Sequence, residues 1–536
     1  MKEFYWELEA VIRKALKLIY PEKQFSFFLE IPRNKKFGDL ALALPLKLSS
    51  ELHQPPLKIA EEFKDKLETL LLESNPGIEK IEVVAPGFVN FFLKDSLVKE
   101  LFLQILENKE DFFKEGSLKD RKILIEFVSA NPTGPLSIAH GRGAIIGDVL
   151  ASVYSFLGAE VVREYYINDE GTQIDLFIAS VRERIKELKG EPFQITEGGY
   201  QGDYVREIAK KILEEGKEDL AKSALKIVLE EIRKDLLSLG IEFNSWVSQA
   251  QIRREGKIQE VIDFLSSKGL TYQKDSALWF KSSLFGDDKD RVLVRGDGTF
   301  TYFSADGGYH KYKVERGFNE FINLWGPDHH GYVKRLSSVL EVFRQERNFD
   351  YKIIIFQLVS LKSKEKVSKR KGTIIFLKDL AEEVGKDTVR FYYLLRKNSS
   401  HLEFDIDKAL KRSFENPLYY IQYAYARICS IIEKYKEKIE FKNIYLLKDK
   451  EEISLMKKAL EFKNVLNLVY QEAEPYYLVD YLKSLASEFH LFYERKRVLI
   501  EDNPELTQAR LSLILGVKIV LGLGLSLLKL TAPSKM

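Results

Sequence analysis

The chain has 536 residues, of which 45% are hydrophobic and 31% charged, with only 15 prolines. A chain this long and this apolar can bury a large core, which excludes a disordered or fibrous protein, and about 150 residues per domain gives three or four domains. The 83 Lys and Arg residues nearly balance the 81 Asp and Glu residues, so a polyanionic partner must be met by a local basic surface. The single cysteine, Cys429, excludes a disulfide framework and a Cys-rich metal site, and we expect no structural zinc.

Residues 1–115 are predicted to form a small α+β domain. They begin with apolar residues at helical spacing, from Leu8 to Ile19. They end in the run 78–93, whose short apolar segments are broken by Pro86 and Gly87 and predict two strands and a turn. The N-terminus carries charges throughout and lacks the apolar core of a secretory signal, so we expect a cytoplasmic protein.

Residues 116–395 are predicted to form a Rossmann-like domain with a doubly wound parallel sheet. The run 122–128 is continuously apolar, as in a buried parallel strand, and is followed by a helix from about His140 to Phe156 and a strand at 161–167. Charged amphipathic sequence at about 175–265 predicts a helical insertion. Further strands are predicted at 277–280, 291–295, 300–304, 320–325 and 352–359.

Residues 396–536 are predicted to form an all-α domain. The stretch 511–530 is apolar enough to suggest a membrane span, but Lys518 near its centre would cost about 2.5–3.5 kcal/mol on insertion. We therefore interpret it as a buried helix and expect no membrane partner.

The connection between the first parallel strand and its helix predicts an anion site. Residues 131–135 contain two prolines and a glycine, which stiffen the loop and aim the helix N-terminus at a bound anion. Ser137 and His140 are three residues apart and face the same way on a starting helix. No P-loop sequence is present, and the spacing of Gly141, Gly143 and Gly147 departs from the dinucleotide fingerprint.

Two more segments carry candidate chemistry. The basic run 361–372 is either a solvated loop or a clamp in which Lys366 and Lys369 neutralise a pyrophosphate leaving group. Asp328 and His329 follow a strand, and substrates of open α/β sheets bind at the ends of strands. A metal site would need a third metal-ligating residue, and the neighbouring sequence offers none, so substrate contacts are favoured over a metal site.

These motifs together resemble the arginyl-tRNA synthetase family of class I. Ser137-Ile138-Ala139-His140 stands where the family has His-Ile-Gly-His, and Lys366-Val367-Ser368-Lys369 where it has Lys-Met-Ser-Lys. Other segments that look like the family, in order along the chain, are 37–48, 126–136, 163–174, 301–318, 324–332, 401–407, 416–428 and 531–536. The resemblance covers essentially the whole chain.

The resemblance implies an arginine–tRNA ligase. Arginine and ATP would give arginyl-adenylate, and the arginyl group would pass to the 3′ end of tRNA(Arg), with Mg²⁺ accompanying ATP. It implies that the helical domain binds the anticodon and that the N-terminal domain contacts tRNA. We expect a monomer without an obligate protein partner.

The resemblance also assigns site residues. The catalytic set is His140, Lys366, Lys369 and Ser137. The arginine-binding set is Glu126, Ser129, Asn131, Tyr302, Asp306 and Asp328. The ATP-binding set is Ser137, His140, Gly141, Gly326, His329, Lys366, Ser368 and Lys369. The tRNA-contacting set is Phe37, Gly38 and Asp39.

Several alternatives stay open. Glu126 could form a structural ion pair, Asp306 could belong to a turn, and Asp328 could cap a helix. Tyr419 and Tyr423 could stack on bases or belong to the core. Because Ser137 and Ala139 depart from the family motif, a catalytically silent tRNA-binding relative and another class I synthetase are the competing functions.

Overall fold

A computed structural model gives the architecture. It describes residues 2–22, 25, 27, 29–32, 34–74, 77–114, 116–216, 219–362 and 375–536. In chain order it contains an α+β unit, a domain built on a parallel sheet, and a helical unit, which confirms the predicted fold class.

The first unit is an antiparallel sheet covered by helices. Its elements are α1 (Lys2–Ile19), β1 (Leu29–Glu30), β2 (Leu40–Leu42), α2 (Leu44–Leu52), α3 (Pro56–Ser74), β3 (Ile78–Val84), β4 (Phe88–Leu93) and α4 (Asp95–Asn108). The strand order is β1-β2-β4-β3, and α3 packs on β3, β4 and α1. The predicted hairpin at 78–93 is confirmed, with Pro86 and Gly87 in its turn.

The second unit carries the parallel sheet. Its elements are β5 (Lys122–Glu126), α5 (Ile138–Phe156), β6 (Glu160–Ile167), α6 (Thr172–Lys189), α7 (Asp203–Glu215), α8 (Leu220–Ser238), β7 (Ser245–Ser248), α9 (Gln249–Arg254), α10 (Lys257–Ser267), β8 (Thr271–Lys274), β9 (Ala277–Phe280), β10 (Arg291–Val294), α11 (Tyr302–Glu315), β11 (Glu320–Trp325), α12 (Val333–Glu346), β12 (Asp350–Ile355), β13 (Val359–Leu361), α13 (Leu377–Val384), α14 (Lys386–Tyr393), β14 (Leu402–Phe404) and α15 (Ile406–Ala409). The five-stranded sheet has the order β12-β11-β5-β6-β7, and all its pairs are parallel.

The sheet positions a binding crevice. β5 is central, and Ile123, Leu124 and Ile125 are fully buried, which explains the continuous apolar run. The chain leaves β5 toward β6 on one side and later returns to β11 on the other. This reversal of strand order opens a crevice outside the carboxyl end of β5.

Three sequence predictions need correction. Residues 300–304 were expected to form a strand, but Thr301 caps α11, its side chain accepting from the Ser304 backbone N–H. The predicted strand 352–359 is divided between β12 and β13, which belong to different sheets. The insertion at about 175–265 is not only helical, because β7 within it is the edge strand of the parallel sheet.

The third unit is helical, as predicted. Its helices are α16 (Pro417–Lys434), α17 (Lys450–Leu460), α18 (Phe462–Glu472), α19 (Tyr476–Arg495) and α20 (Pro504–Leu527). α20 is long and apolar enough to cross a membrane, yet it is mostly buried among the other helices, which confirms its interpretation as a core helix. Single 3₁₀ turns occur at Lys35–Phe37, Lys109–Phe113, Ser282–Phe285, Pro327–Tyr332 and Phe441–Leu446.

Buried ions join the units. Asp148 in α5 accepts from Arg390 Nη2 at 2.7 Å and from Lys529 Nζ at 2.7 Å. Arg390 also donates to the Leu528 and Leu239 carbonyl oxygens. The end of the helical unit is thereby attached to α5 and α14 of the parallel-sheet domain.

Candidate functional site

Polar side chains meet at the carboxyl end of β5. The strand register places Glu126 opposite Asn323 of β11 on one side and Glu164 of β6 on the other. Helix α11 lies above these strands and adds Asp306, Tyr309, His310 and Lys313. The sheet edge and one face of α11 therefore form the walls of one pocket.

Glu126 is buried and fully partnered. It forms an ion pair with Lys313, which is also buried. Ser129 Oγ donates to Glu126 Oε1 at 3.0 Å, and Asn323 Nδ2 donates to Oε2 at 3.1 Å. The structural ion pair that the sequence left open is therefore present, and Lys313 is the residue that supplies it.

Glu164 is neutralised in the same way. Arg316 forms an ion pair with it, and the Tyr309 and Ser245 hydroxyls each donate to it at 2.8 Å. The His310 ring is neutral, because burial and the nearby charge of Lys313 hold its pKa well below the ordinary value. Glu164 and His310 thus complete the scaffold of the pocket.

Asp306 differs from both glutamates. It is half-buried and forms no ion pair with any described residue. Burial raises the pKa of its carboxyl to about 7. The Tyr332 hydroxyl and the charge of Lys313 oppose the rise, and the charge of Glu126 adds to it. Its surroundings are the rings of Tyr166, Tyr302 and Tyr332, whose own pKa values are raised by burial and by this carboxylate.

Tyr332 lies next to Asp306. Its hydroxyl is buried and has the Asp306 carboxylate as its neighbour, and the two groups shift each other's pKa. A carboxylate whose pKa is raised by burial and whose neighbours are tyrosine rings, without an ion pair among the described residues, is typical of a ligand site. This pocket can receive a cationic group that is also a hydrogen-bond donor.

The loop after β5 is strained. Val128 and Ser129 both have positive φ, at 68° and 40°, a region that costs about 1–3 kcal/mol for residues other than glycine. The strain directs Ser129 Oγ toward Glu126 and lets it accept from the Tyr166 N–H at 3.1 Å. Asn131, farther along the loop, donates to Gln173.

Ser137 and His140 meet at the start of α5, as their spacing predicted. Ser137 is the N-cap, and its backbone N–H donates to His140 Nδ1 at 3.1 Å. Because Nδ1 accepts, the proton of the neutral ring lies on Nε2. Burial lowers the pKa of His140, so the ring is a neutral donor near pH 7.

Glycines explain how closely α5 packs. A side chain at Gly141 would lie 2.5 Å from Leu377, so this glycine has a packing role whatever else it contacts. Gly326, by contrast, faces open space. Gly308 of α11 lets α10 approach, since a Cβ there would stand 3.0 Å from the Ile258 backbone.

The residues of the turn Pro327–Tyr332 differ in their surroundings. Asp328 is exposed and is not among the contacts of Glu126 or Asp306. His329 is exposed against the ring of Trp325, with the centroids 5.5 Å apart, and lines a cavity together with Tyr302 and Tyr332. Of the three acidic residues that the resemblance assigns to arginine, Glu126 and Asp306 lie near each other, whereas Asp328 is exposed and does not join them.

The basic motif falls outside the described residues. Lys366, Ser368 and Lys369 belong to the segment 363–374. The described residue after it, Ile375, accepts from the Ile138 N–H at 3.3 Å. Ile375, the first described residue after the segment, therefore lies beside the start of α5.

The three N-terminal residues assigned to tRNA contact have different environments. Phe37 is 43% exposed. Gly38 has φ +98° and no room for a side chain, and Asp39 accepts from the Leu93 N–H and from Lys457 of α17 at 2.9 Å. Gly38 and Asp39 thus have structural roles, and Phe37 is the one that is free for contact.

Tyr419 and Tyr423 are half-buried. They stack at 6.0 Å, and the exposed ring of Phe414 lies beside them. They are therefore neither fully buried core residues nor fully exposed rings on which a base could stack.

Several pocket residues were missed by the sequence analysis: Lys313, Asn323, His310, Tyr166, Tyr309 and Tyr332. A signal existed for those in α11, because residues 302, 306, 309, 310 and 313 lie on one face of a helix. A strand at 300–304 would separate Tyr302 from the other four residues, so the strand prediction hides this shared helical face. In the part of the chain that the structure covers, no group of three His, Cys, Asp or Glu residues is arranged to hold a metal ion.

Family models match all three units. Residues 7–93 match the arginyl tRNA synthetase N terminal domain, residues 102–408 the catalytic domain of tRNA synthetases class I (R), and residues 421–536 the DALR anticodon binding domain.

Relatives match along the whole chain. It is 38% identical to the arginine–tRNA ligase of Aquifex aeolicus, over 98% of this chain and 99% of that one. It is 40% identical to the arginine–tRNA ligase of Caldanaerobacter subterraneus, over 99% and 98%. The fold is similar to that of Thermus thermophilus arginyl-tRNA synthetase, with a TM-score of 0.78 and 20% identity over 99% of each chain.

Proposed function

The chain belongs to the class I arginyl-tRNA synthetases, and from that premise we propose that the Asp306 pocket holds the guanidinium of arginine during its activation with ATP. The reaction joins the arginine carboxylate to the α-phosphate of ATP and releases pyrophosphate. The ribose hydroxyl at the 3′ end of tRNA(Arg) then takes the arginyl group.

One observation carries the proposal: Asp306 is a carboxylate without an ion pair among the described residues, and it lies among tyrosine rings near the carboxyl end of β5. A guanidinium offers five donors in a planar fork and stacks well on aromatic rings, so it suits a carboxylate that lies among tyrosine rings, as Asp306 does. Lysine offers a single ammonium, which leaves part of this set unpaired. Unpaired buried acceptors and donors are what let polar sites reject near-cognate ligands.

Glu126, Ser129 and Asn131 are proposed to orient the backbone end of arginine. Glu126 already carries Lys313, so an arginine amino group would have to share this carboxylate with the lysine. The strained loop at Val128 and Ser129 supports such a role, because strain of this kind concentrates at ligand sites. Asp328, being exposed at the edge, is proposed to contribute less than the other residues of the set.

ATP is proposed to lie at the start of α5. The Nε2 proton of His140 is free to donate to a phosphate oxygen, and the helix N-terminus favours negative charge. Ser137, Gly141, Gly326 and His329 would complete the contacts. Lys366, Ser368 and Lys369 would neutralise the pyrophosphate as it leaves.

Mg²⁺ would be held mainly by phosphate oxygens, as is usual for this ion. We propose the domain division 1–115, 116–395 and 396–536, a contact between Phe37 and tRNA, a monomeric state and a cytoplasmic location.

Charging of purified tRNA with labelled arginine tests the proposal. We expect the wild-type protein to charge arginine, and Asp306→Ala and Lys369→Ala to lose most of this activity. Lys362→Ala is the matched control, since Lys362 is committed to Asp405 at 2.8 Å and should leave charging nearly unchanged. Tight tRNA binding without charging would instead support a catalytically silent protein.

A further inference from the structure

Helix α5 contains a fully buried cation, Arg142, to which the proposed activation gives no role. It lies two residues after His140, and residues two apart on a helix face different sides, so the two side chains have different neighbours. Among the residues that the structure describes, no carboxylate forms an ion pair with Arg142. Burial lowers its pKa to about 10, so the guanidinium is still charged near pH 7.

Backbone carbonyls surround this guanidinium. Nη1 of Arg142 donates to the Gln357 and Ser400 carbonyl oxygens at 2.8 Å each, and Nη2 donates to the Lys397 carbonyl oxygen at 2.9 Å. Gln357 follows β12, whereas Lys397 and Ser400 lie in the connection that leads into β14. One side chain of α5 therefore joins two segments that are distant in the sequence.

These two segments lead into the strands of the two-stranded sheet. β13 pairs in parallel with β14, and the Lys362 N–H extends the pairing by donating to the Phe404 carbonyl oxygen at 3.1 Å. The next residue along the chain begins the segment that contains Lys366 and Lys369. Arg142 thus holds the sheet from which the chain enters that segment.

Close packing keeps the accepting carbonyls in place. A Cβ at Gly143 would lie 2.7 Å from the ring of Phe356, so a glycine is needed for α5 to come this close to the end of β12. On the other side, the Asn398 backbone N–H donates to Glu474 Oε1 at 2.8 Å, and Asn398 Nδ2 donates to the Ala473 carbonyl oxygen at 3.0 Å. Arg142 therefore binds to chain that is itself fixed.

The chain that follows the basic segment also lies on α5. Ser137 forms an antiparallel bridge with Phe376, and the Leu377 N–H donates to the Leu136 carbonyl oxygen at 2.8 Å. The start of α5 is therefore bonded to described chain on both sides of this segment, through its buried arginine on one side and through backbone on the other.

We propose that Arg142 is a positioning residue for the release of pyrophosphate: it fixes β13 and β14 to the helix that carries His140, and so sets where the chain enters the segment of Lys366 and Lys369. The inference rests on the proposed function, in which His140 and these lysines act on the same triphosphate. Burying a charge without an ion pair is costly, and an apolar side chain would fill the same space without that cost. The three bonds to carbonyls therefore indicate a geometric role.

The test measures ATP–pyrophosphate exchange at saturating tRNA. Arg142→Met fills the space but makes none of the bonds, and Arg142→Lys keeps the charge on one nitrogen in place of two. We expect kcat to fall about 10- to 10²-fold in Arg142→Met and by less in Arg142→Lys, with the KM for arginine within about twofold of wild type. Arg121→Gln is the matched control, because Arg121 joins Glu320 and Asp350 at the opposite end of the parallel sheet and should leave kcat nearly unchanged.

A double-mutant cycle separates positioning from a general loss of structure. In a Lys369→Ala background, Arg142→Met should lower kcat by less than about threefold, because the group that it positions is already absent. The same full loss in both backgrounds would overturn the inference, as would an unchanged kcat or an equal loss in Arg121→Gln. If thermal unfolding shows that Arg142→Met does not fold, the cycle with Arg142→Lys decides. A wild-type protein that catalyses neither exchange nor charging would refute the proposed function itself, which is a different result.

Discussion

Asp148 and Asp306 are both acidic residues on helices that border the parallel sheet, and their surroundings are opposite. Asp148 is fully buried between Arg390 and Lys529, and Arg163 lies 3.3 Å away. Asp306 faces three tyrosines and the charge of Glu126, and its pKa is raised to about 7. Ion pairs within the folded chain neutralise Asp148, whereas Asp306 has no ion pair among the described residues and is proposed to bind the cation of a ligand. The contrast separates an acidic residue that holds the structure together from one that binds a ligand.

The largest effect is expected where that missing cation binds. Asp306→Asn keeps the volume of the side chain but removes its charge, so kcat/KM for arginine should fall about 10²–10³-fold, as for the loss of one member of a buried charged pair. The free energy of unfolding without ligand should not fall. Steady-state charging and thermal unfolding of the same preparation measure both. A destabilised variant would mean that Asp306 is structural.

Replacing Asp148 by asparagine should lower stability and leave arginine binding unchanged, the reverse of the effect at Asp306. Asp148→Asn leaves Arg390 and Lys529 without their carboxylate, and the loss of one partner from a buried ion pair costs about 3–5 kcal/mol of unfolding free energy. Denaturant unfolding measures this. The folded fraction should keep a KM for arginine near that of wild type, and an equal loss of arginine affinity would erase the distinction between the two residues.

The raised pKa of Asp306 also predicts a pH dependence. Arginine binds the ionised carboxylate, so below about pH 7 the site must first lose a proton, and the KM for arginine should rise toward tenfold per pH unit as the pH falls. The same shift favours the protonated form in the ligand-free protein, so its contribution to stability is present at low pH and is lost as the pH rises through about 7. His140 should not contribute, because its pKa is lowered. A KM for arginine that stays flat between pH 6 and 8 would contradict this.

The smallest effect is expected at Ser137. Ser137→His introduces a second donor near the phosphates but removes a favourable helix N-cap, worth about 1 kcal/mol. We expect the rate of ATP–pyrophosphate exchange in the presence of tRNA to stay the same or to improve modestly. A large loss would show that the serine has a role of its own.

The sequence predicted the parts of the molecule that depend on local pattern. The apolar runs of β5, β6 and β11 and the buried character of α20 follow from periodicity and composition, so they could be identified one by one. The meeting of Ser137 and His140 also follows from a spacing of three on a helix.

What it could not predict depends on contacts between distant segments. Lys313 and Glu126 are 187 residues apart, and only the packing of α11 on the sheet brings them together. β7 is a four-residue strand without an apolar run, so its place in the sheet is decided by β6. Residues 300–304 are rich in aromatic residues, as strands often are, but Thr301 caps a helix that begins at Tyr302.

Citrulline gives the most direct test of the pairing between Asp306 and the guanidinium, because it replaces that group with a neutral urea of similar shape. The measurement is the ratio of arginine to citrulline affinity, with tRNA present at pH 8, in wild type and in Asp306→Asn. We expect wild type to prefer arginine by at least about 10²-fold and the variant to bind the two within about threefold of each other. A preference for arginine that survives in Asp306→Asn would show that another group recognises the guanidinium.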